Sequence, residues 1–180
     1  MKKVLIGISG GIAAYKTIEL IRLLKKSSID VWVITTDNAL KFVTPLTLKT
    51  VSGNPVFSNM FEENSLYSMP HISLTDNSSL LAIVPATANI ISKIANGIAD
   101  DLLSTISLSF DKKILIAPAM NTKMYLNPII QENIKKLKKY RDKYRFIEPE
   151  AGQLACGDTG VGRLADIKEI YNIITDELKK

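Results

Sequence analysis

The stretch Lys-Val-Leu-Ile-Gly-Ile-Ser-Gly-Gly-Ile-Ala-Ala-Tyr-Lys, residues 3–16, joins an apolar run to an amphipathic one through a glycine turn. The run Lys3–Ser9 is typical of a buried β-strand, and the glycines after it let the backbone turn sharply into a helix over Ile12–Lys26. The apolar run is too short for a secretion signal, and no cleavage site follows it. We therefore interpret this stretch as the first strand, turn and helix of an α/β protein.

The same alternation of strand and helix continues along the chain. Further strands are predicted over Asp30–Thr35, Leu80–Pro85, Lys113–Pro118 and Arg145–Glu148, and helices over 88–96, 100–110, Pro128–Tyr140 and Asp166–Leu178. Strands that alternate with helices form a parallel sheet with helices on both faces. This predicts a doubly wound, flavodoxin- or Rossmann-like α/β fold with a single domain over residues 1–180. The least regular segment, 52–79, is expected to cover an edge of the sheet.

The composition is that of a globular protein. Of 180 residues, 46% are hydrophobic and 23% are charged, and no apolar run reaches the ~18 residues that cross a membrane. The single cysteine cannot form an internal disulfide, which fits a reducing cytoplasm. Much of the net charge of +5 comes from a basic cluster at 135–143. We interpret that cluster as a solvated helix face, and we expect a cytoplasmic protein that binds neither nucleic acid nor membrane.

The unusual motifs of the chain all follow predicted strands. They lie at 9–11, 35–38, 85–89, 117–121 and 149–163. Ligands of open α/β sheets bind in the crevice at the carboxyl ends of the strands. The sequence therefore predicts one site, built from all five turns.

The glycine turn after the first strand favours an anion, because glycines let the backbone approach a phosphate and a helix start offers N–H groups. The spacing is not the G-x-G-x-x-G fingerprint of dinucleotide sites. The second strand ends in Thr35-Thr36 rather than in an acidic residue that would hold a ribose. A mononucleotide phosphate therefore fits better than NAD, with a tight turn that binds no ligand as the alternative.

Three further turns carry polar side chains. Thr87 and Asn89 offer hydrogen-bond donors at a helix start, although Thr87 is equally typical of a helix N-cap. Asp100-Asp101 stand at a predicted helix start and could cap the helix with their carboxylates. Asn121 could donate its amide to a substrate carboxylate, or it could satisfy the backbone of its own turn.

The chain has one histidine and one cysteine, His71 and Cys156. A histidine suits general acid–base catalysis because its reference pKa lies near neutrality. A cysteine among glycines suits a proton donor or nucleophile better than a core position. One histidine and one cysteine do not make a zinc site, so no metal is expected.

Taken together, these motifs resemble those of the homo-oligomeric flavin-containing cysteine decarboxylases, in particular the phosphopantothenoylcysteine decarboxylases of coenzyme A synthesis. The resemblance runs from Ile6 to about Ile170. The motifs that carry it are Ser9-Gly10-Gly11-Ile12-Ala13, His71-Ile72-x-Leu74, Pro85-Ala86-Thr87-Ala88-Asn89, Pro118-Ala119-Met120-Asn121-x-x-Met124, and Leu154-Ala155-Cys156-Gly157 with Gly160-x-Gly162-Arg163. Two positions depart from the family pattern: an Asn-Asp or Asp-Asn pair appears here as Asp100-Asp101, and Tyr125 stands where tryptophan is frequent.

The resemblance implies a bound FMN and the substrate 4′-phosphopantothenoylcysteine. It implies that the flavin is held by Ser9, Gly10, Gly11, Thr35, Ala86, Thr87, Ala88, Asn89, Ser104 and Ala119. It also implies that His71 is the catalytic acid/base, that Asn121 binds the substrate carboxylate, and that Cys156 donates a proton late in the cycle. Met124 and Ala155 are further substrate contacts by the same resemblance.

The family also implies an assembly and a partner. A trimer is expected, alone or assembled into a dodecamer, with each flavin near a subunit interface. Because the sequence ends at Lys180, a phosphopantothenate–cysteine ligase, if present, is expected to be a separate protein.

Four other functions stay open. A peptidyl-cysteine decarboxylase releases an enethiol without a final reduction, so the motif around Cys156 disfavours it. A flavin prenyltransferase is expected to lack Pro-Ala-Met-Asn after the fourth strand. A non-catalytic FMN-binding regulator is disfavoured by His71, Asn121 and Cys156 occurring together. A NAD-binding domain is disfavoured by the missing fingerprint.

Overall fold

The computed structural model describes residues 2–60, 74–76, 78–153 and 159–180, and a six-stranded parallel sheet forms its centre. The strands of the sheet are β1 Lys3–Ile8, β2 Asp30–Thr35, β3 Val56–Phe57, β4 Leu80–Ala86, β5 Ile114–Pro118 and β6 Tyr144–Phe146. The helices are α1 Thr17–Lys26, α2 Pro45–Ser52, α3 Ala88–Asn96, α4 Leu102–Ser109, α5 Thr122–Tyr125, α6 Pro128–Lys138 and α7 Ile167–Lys179. Two strands, β7 Glu150–Gln153 and β8 Thr159–Arg163, pair antiparallel outside the main sheet.

The strand order β3-β2-β1-β4-β5-β6 is that of a doubly wound sheet. The chain moves outward from β1 to β3, then returns to the other side of β1 and continues outward through β4 to β6. The direction of winding therefore reverses between β1 and β4, which pair in parallel with Val4 opposite Leu80. In such sheets the crevice at this reversal is the general ligand position.

Two hydrophobic layers cover the two faces of the sheet. On one face α1 and α7 pack through buried residues such as Leu20, Leu24 and Ile174. On the other face α3, α4 and α6 pack through residues such as Ile94 and Leu103. Fully burying each such side chain contributes about 1.5–3 kcal/mol to folding. Because both faces are covered, β1 and β4 are buried along their whole length.

The predicted elements are confirmed in type and order, with differences in detail. The segment Ile12–Lys16 forms a 3-10 turn, and the α-helix begins only at Thr17. Helix α2 was not predicted, although Thr44 caps it by accepting from the Thr47 N–H, Pro45 opens it and Gly53 ends it at φ 74°. The predicted turn at 149–163 contains the β7–β8 pair.

The edge of the sheet at β3 is held by an aromatic and polar cluster. The rings of Trp32 and Phe57 stack with centroids 5.9 Å apart, and the Trp32 indole donates to Asp30 at 2.8 Å. The Lys3 ammonium lies 4.3 Å from the centre of the Trp32 ring. Burial lowers the pKa of Lys3, against the opposing effect of the Asp30 carboxylate. Asn54, just before β3, also donates to Asp30, at 2.8 Å, so the approach to β3 is tied to β2 as well.

Within the described ranges, no helix is both long and apolar enough to cross a bilayer. The same residues contain no group of three or more acidic, histidine or cysteine side chains placed to hold a metal ion.

Candidate active site

A cavity of about 960 Å³ opens at the carboxyl edge of the sheet, over the reversal between β1 and β4. This volume is at the upper end of the roughly 300–1,000 Å³ common for cofactor and ligand sites. Its walls are Ser9, Gly10, Gly11, Ile12, Ala13, Tyr15 and Lys16 after β1; Thr36, Asp37 and Asn38 after β2; Thr87, Ala88, Asn89, Ile90, Lys93, Asp100 and Asp101 after β4; Ala119, Met120, Asn121 and Met124 after β5; and Gly162, Arg163 and Leu164 at β8. All five predicted turns therefore meet in one cavity.

The floor of the cavity is fixed by the buried Ser9. Its hydroxyl donates to the Pro85 carbonyl at 2.8 Å and accepts from the Thr87 N–H at 2.9 Å. These bonds join the end of β1 to the end of β4. The serine hydroxyl therefore serves the backbone on both sides of the crevice.

The turn after β1 approaches its neighbours so closely that glycine is required. A Cβ atom at Gly10 would overlap the Cβ of Asn38 and would lie 2.7 Å from the Asn38 carbonyl carbon. At Gly11 the demand is weaker, because a Cβ atom would lie 3.3 Å from Thr87 Cγ2. The turn thus presents bare backbone to the cavity, which is what close approach of a phosphate or a flat ring needs.

The opposite wall is the start of α3. Thr87 is its N-cap, and its hydroxyl accepts from the Ile90 N–H at 3.5 Å. The first helical residues, Ala88 and Asn89, line the cavity. A helix start directed at a cavity favours a negatively charged ligand group, because its N–H groups carry the positive end of the helix dipole.

Charged side chains at the rim compensate one another. Lys93 lies 2.6 Å from an oxygen of Asp100 and 2.7 Å from an oxygen of Asp101. Burial alone would lower the pKa of Lys93, but the hydrogen bonds to the two carboxylates outweigh it and raise that pKa. The bond from Lys93 lowers the pKa of Asp100. This part of the rim is therefore a fixed ionic cluster.

Asp101 also caps α4, as the sequence suggested. Its carboxylate accepts from the Ser104 N–H at 2.8 Å, and the Asp101 N–H donates to the Ser104 hydroxyl at 3.1 Å. One carboxylate oxygen of Asp101 and the Ser104 hydroxyl are therefore used at the helix end, while the other Asp101 oxygen pairs with Lys93.

Asn121 stands at the end of β5 and begins the short helix α5. Its Oδ1 accepts from the Lys123 N–H at 2.8 Å, which fixes the plane of the amide at the cavity wall. Met124, one turn later, lines the same wall and is 49% exposed. Tyr125 points elsewhere: its hydroxyl donates to Glu148 at 3.4 Å, and burial together with Glu148 raises the pKa of Tyr125.

The last wall is β8, which lies against the turn that carries Asn121. The Met120 N–H donates to the Gly162 carbonyl at 2.9 Å. The Arg163 guanidinium lies 3.4 Å from the carboxylate of Glu150 on the paired strand.

The cavity brings together most of the residues that the sequence singled out. Those that line it are Ser9, Gly10, Gly11, Thr87, Ala88, Asn89, Ala119, Asn121 and Met124. Thr35, Ala86 and Ser104 are fully buried and lie outside its lining, so a direct flavin contact for them stays a prediction without support from this geometry. His71, Ala155 and Cys156 lie outside the described residues.

Some wall residues were not predicted. Lys16 and Lys93 reach the cavity from helical segments, and no local sequence pattern distinguishes them from surface lysines. Asn38 has a clearer signal, since it follows a predicted strand within the 35–38 turn.

A doubly wound sheet with an anion-favouring crevice at its reversal is the architecture of nucleotide-binding α/β proteins, and the missing dinucleotide fingerprint favours a mononucleotide. The pattern of the family described as Flavoprotein matches residues 1–179. The chain therefore belongs to the Flavoprotein family.

Two relatives with different lengths illustrate the match. The coenzyme A biosynthesis bifunctional protein CoaBC of Borreliella burgdorferi is 46% identical over 179 residues, which is 99% of this chain and 45% of that protein. The probable phosphopantothenoylcysteine decarboxylase of Streptococcus mutans is 42% identical over 179 residues, which is 98% of this chain and 99% of that protein. The chain thus spans about half the length of the bifunctional relatives that it matches.

Solved structures share the same architecture. A PPC decarboxylase with a cysteine-to-serine substitution, in complex with pantothenoylaminoethenethiol, has a TM-score of 0.88 and 30% identity, covering 99% of each chain. The FMN-binding protein AtHal3 has a TM-score of 0.82 and 31% identity, covering 99% of this chain and 97% of that one. The peptidyl-cysteine decarboxylase EpiD has a TM-score of 0.82 and 28% identity, covering 97% and 99%.

Proposed function

We propose that this protein is an FMN-dependent decarboxylase that converts 4′-phosphopantothenoylcysteine into 4′-phosphopantetheine in coenzyme A synthesis. The observation that carries the proposal is Asn121 at the wall of the crevice cavity, within a chain that matches a probable phosphopantothenoylcysteine decarboxylase over almost the full length of both. An amide donor at that position suits a substrate carboxylate.

The residues at the crevice fit FMN. The Gly10–Gly11 turn is a cradle that a side chain would fill, and the start of α3 faces it across the cavity. At the end of β2, the buried Thr35 hydroxyl has no hydrogen-bond partner among the described residues, but Thr35 lies outside the cavity lining and is left out of the assignment that follows. We assign the flavin to Ser9, Gly10, Gly11, Thr87, Ala88, Asn89 and Ala119, joined by Thr36 and Asn38, which line the same cavity.

A bound flavin would supply the redox chemistry: it would accept two electrons from the substrate thiol, so that a C=S group stands β to the carboxylate and CO2 can leave, and it would hand the same two electrons back afterwards. The chain supplies the rest. Asn121 holds the carboxylate through its amide, in a plane fixed by the bond from the Lys123 N–H. Met124 packs beside it on the same wall. His71 takes and returns the proton at the thiol end. Cys156 later protonates the carbon that lost CO2, while the two electrons would return as hydride to the neighbouring carbon that bears the sulfur, so that a saturated thiol leaves.

The partner and the assembly belong to the same proposal. The substrate is a small molecule supplied by a phosphopantothenate–cysteine ligase, and the protein works in the cytoplasm as a trimer-based oligomer. Ile12, Tyr15 and Met124 expose 57%, 55% and 49% of their surface at the cavity. An apolar cavity wall of this kind is consistent with a flavin near a subunit interface.

The experiment is a spectrum of the purified protein followed by an assay with 4′-phosphopantothenoylcysteine. We expect a yellow protein, release of CO2 and a saturated thiol product. A colourless protein that takes up no FMN on reconstitution would refute the cofactor. Turnover of a peptide with a C-terminal cysteine, but not of 4′-phosphopantothenoylcysteine, would refute the substrate.

A further inference from the structure

The strand β8 and the turn at residues 120–122 are in direct backbone contact. The Met120 N–H donates to the Gly162 carbonyl at 2.9 Å, and α5, which begins at Thr122, packs on β8. Gly162 and Asn121 line the same cavity. Any displacement of β8 along this contact therefore moves one wall of the cavity against another.

Gly160 permits this contact because it has no side chain. A Cβ atom there would overlap the Thr122 hydroxyl oxygen, and would lie 2.8 Å from Thr122 Cγ2 and 3.1 Å from Thr122 Cβ. The Thr122 hydroxyl is buried, and it neither donates nor accepts a hydrogen bond within the described ranges. The contact between Gly160 and Thr122 is therefore a van der Waals contact without a hydrogen bond.

Gly162 meets a second and separate demand. Its φ is 129°, a backbone conformation that is strained for any residue with a side chain. A Cβ atom there would also overlap the carbonyl oxygen of Met120. Residues 160 and 162 thus both seat β8 on the residues that flank Asn121.

We propose that Gly160 and Gly162 are positioning residues that set the location of the Asn121 amide for the substrate carboxylate. The inference deepens the proposed function and rests on it. Asn121 lies between Met120 and Thr122, so a side chain at residue 160 that displaces Thr122 also displaces the amide. Hydrogen bonds hold only over a few tenths of an ångström around 2.9 Å, and a misplacement of about 1 Å can cost on the order of 100-fold in rate.

The test is the variant Gly160→Ala, alone and combined with Thr122→Ala. Gly160→Ala is expected to raise KM for 4′-phosphopantothenoylcysteine and lower kcat/KM by roughly 10- to 100-fold. Inhibition by 4′-phosphopantetheine, which lacks the carboxylate, is expected to stay within about threefold, because product binding does not use the carboxylate site. Thr122→Ala removes the overlapping atoms, so the double variant is expected to regain the KM of Thr122→Ala alone.

Gly152→Ala is the matched control. Gly152 pairs with Gly160 across the β7–β8 ladder, but a Cβ atom there would meet only the Arg163 side chain, at 3.3 Å from its Nη1. Its kcat/KM is expected to stay within about threefold of the unmodified protein, since a flexible side chain can yield.

The outcomes separate the two proposals. Unmodified protein without turnover removes the proposed function and this inference with it. If the unmodified protein turns over normally and Gly160→Ala has a normal KM, this inference is refuted and the proposed function stands. If Gly160→Ala fails to retain flavin, the double variant decides: recovery of flavin and KM together supports the inference, and recovery of flavin without KM overturns it.

Discussion

The Ser9 hydroxyl accepts a hydrogen bond from the Thr87 N–H at 2.9 Å, across the crevice where the winding of the sheet reverses. The same hydroxyl donates to the Pro85 carbonyl at 2.8 Å. One side chain thus links the carboxyl ends of β1 and β4, the two strands between which a ligand would sit. The two walls that carry the glycine turn and the start of α3 are consequently held at a fixed separation.

We expect Ser9→Ala to lower the free energy of unfolding by about 1–3 kcal/mol, because the part-buried Thr87 N–H and the Pro85 carbonyl each lose a partner. Bound flavin is expected to fall as the two walls separate. Urea unfolding and the flavin content of the purified protein measure these effects.

Ser107→Ala is the control for this variant. Ser107 is equally buried, but its hydroxyl donates to the Leu103 carbonyl at 2.7 Å within α4, away from the cavity. It is expected to keep its flavin. Equal loss of flavin in both variants would contradict the role given to Ser9.

Gly10→Ala is expected to be much more damaging than Gly11→Ala. The first adds an atom that overlaps Asn38, including its backbone, and the second adds one that only presses on Thr87 Cγ2 at 3.3 Å. Overpacking of this kind costs about 1–3 kcal/mol and shifts the backbone. Titration of the flavin-free proteins with FMN measures the difference, and equal affinities in the two variants would show that the turn does not shape the site.

Asn121→Ala and Asn127→Ala separate helix capping from catalysis. Asn121 caps α5 by accepting from Lys123 at 2.8 Å, and Asn127 caps α6 by accepting from Ile129 at 3.0 Å. Both variants should lose about 1 kcal/mol of stability. Only Asn121→Ala should lose a bond to a charged ligand, worth about 1.5–3 kcal/mol or roughly 10- to 150-fold in kcat/KM. A similar activity in both variants would remove Asn121 from the substrate site.

The ion pair between Asp100 and Lys93 predicts a pH dependence. The hydrogen bond from Lys93 lowers the pKa of Asp100 below its usual 3.8 in the folded protein. A lowered carboxylate pKa stabilises the fold above pH 3.8, and that stabilisation disappears as the pH falls through the lowered value. Asp100→Asn is therefore expected to have a lower Tm than the unmodified protein at neutral pH, with the difference closing in acid.

The control for this pH series is Asp111→Asn. Asp111 is exposed and takes part in no ion pair of the described residues. Its Tm difference from the unmodified protein is expected to be small at every pH. A Tm difference for Asp100→Asn that does not change with pH would contradict the role given to the pair.

His71→Asn and Cys156→Ser are expected to fail at different steps. His71→Asn should bind flavin and release almost no CO2, because the proton at the thiol has no acceptor. Cys156→Ser should still release CO2 but accumulate an oxidised enethiol. Trapped CO2 and mass spectrometry of the product distinguish them; loss of both steps, or of neither, in Cys156→Ser would refute its role as the late proton donor.

The main sheet could be predicted because its strands are continuous apolar runs. Leu80–Ala86 is buried on both faces, and its apolar residues do not follow the spacing of an amphipathic helix. By contrast, β3 is only Val56–Phe57, and a strand of that length has no detectable periodicity. The β7–β8 pair contains Gly152, Gly160 and Gly162, which local propensity disfavours in strands. Contact with the turn at 120–122 holds it instead.

The site could be predicted to the extent that strand ends determine it. The carboxyl ends of parallel strands lie at the same edge of the sheet, so the turns after them meet there. These turns supply Ser9, Thr87 and Asn121 to the cavity. A flavin contact for Ser104 stays a prediction, and in the structure its hydroxyl completes the capping box with Asp101. Lys93 could not be predicted from a motif, because its place in the cavity wall depends on how α3 packs at the edge of the sheet.

The stacking of Trp32 on Phe57 has a practical consequence. Trp32 is the only tryptophan of the chain, and its partner lies on the outermost strand, β3. Indole fluorescence therefore reports whether that border strand is docked, while the colour of a bound isoalloxazine would report on the crevice. Both optical signals can be followed during denaturation. Coincident transitions indicate that the protein unfolds in one step, and an earlier change in indole fluorescence indicates that β3 separates from the sheet first.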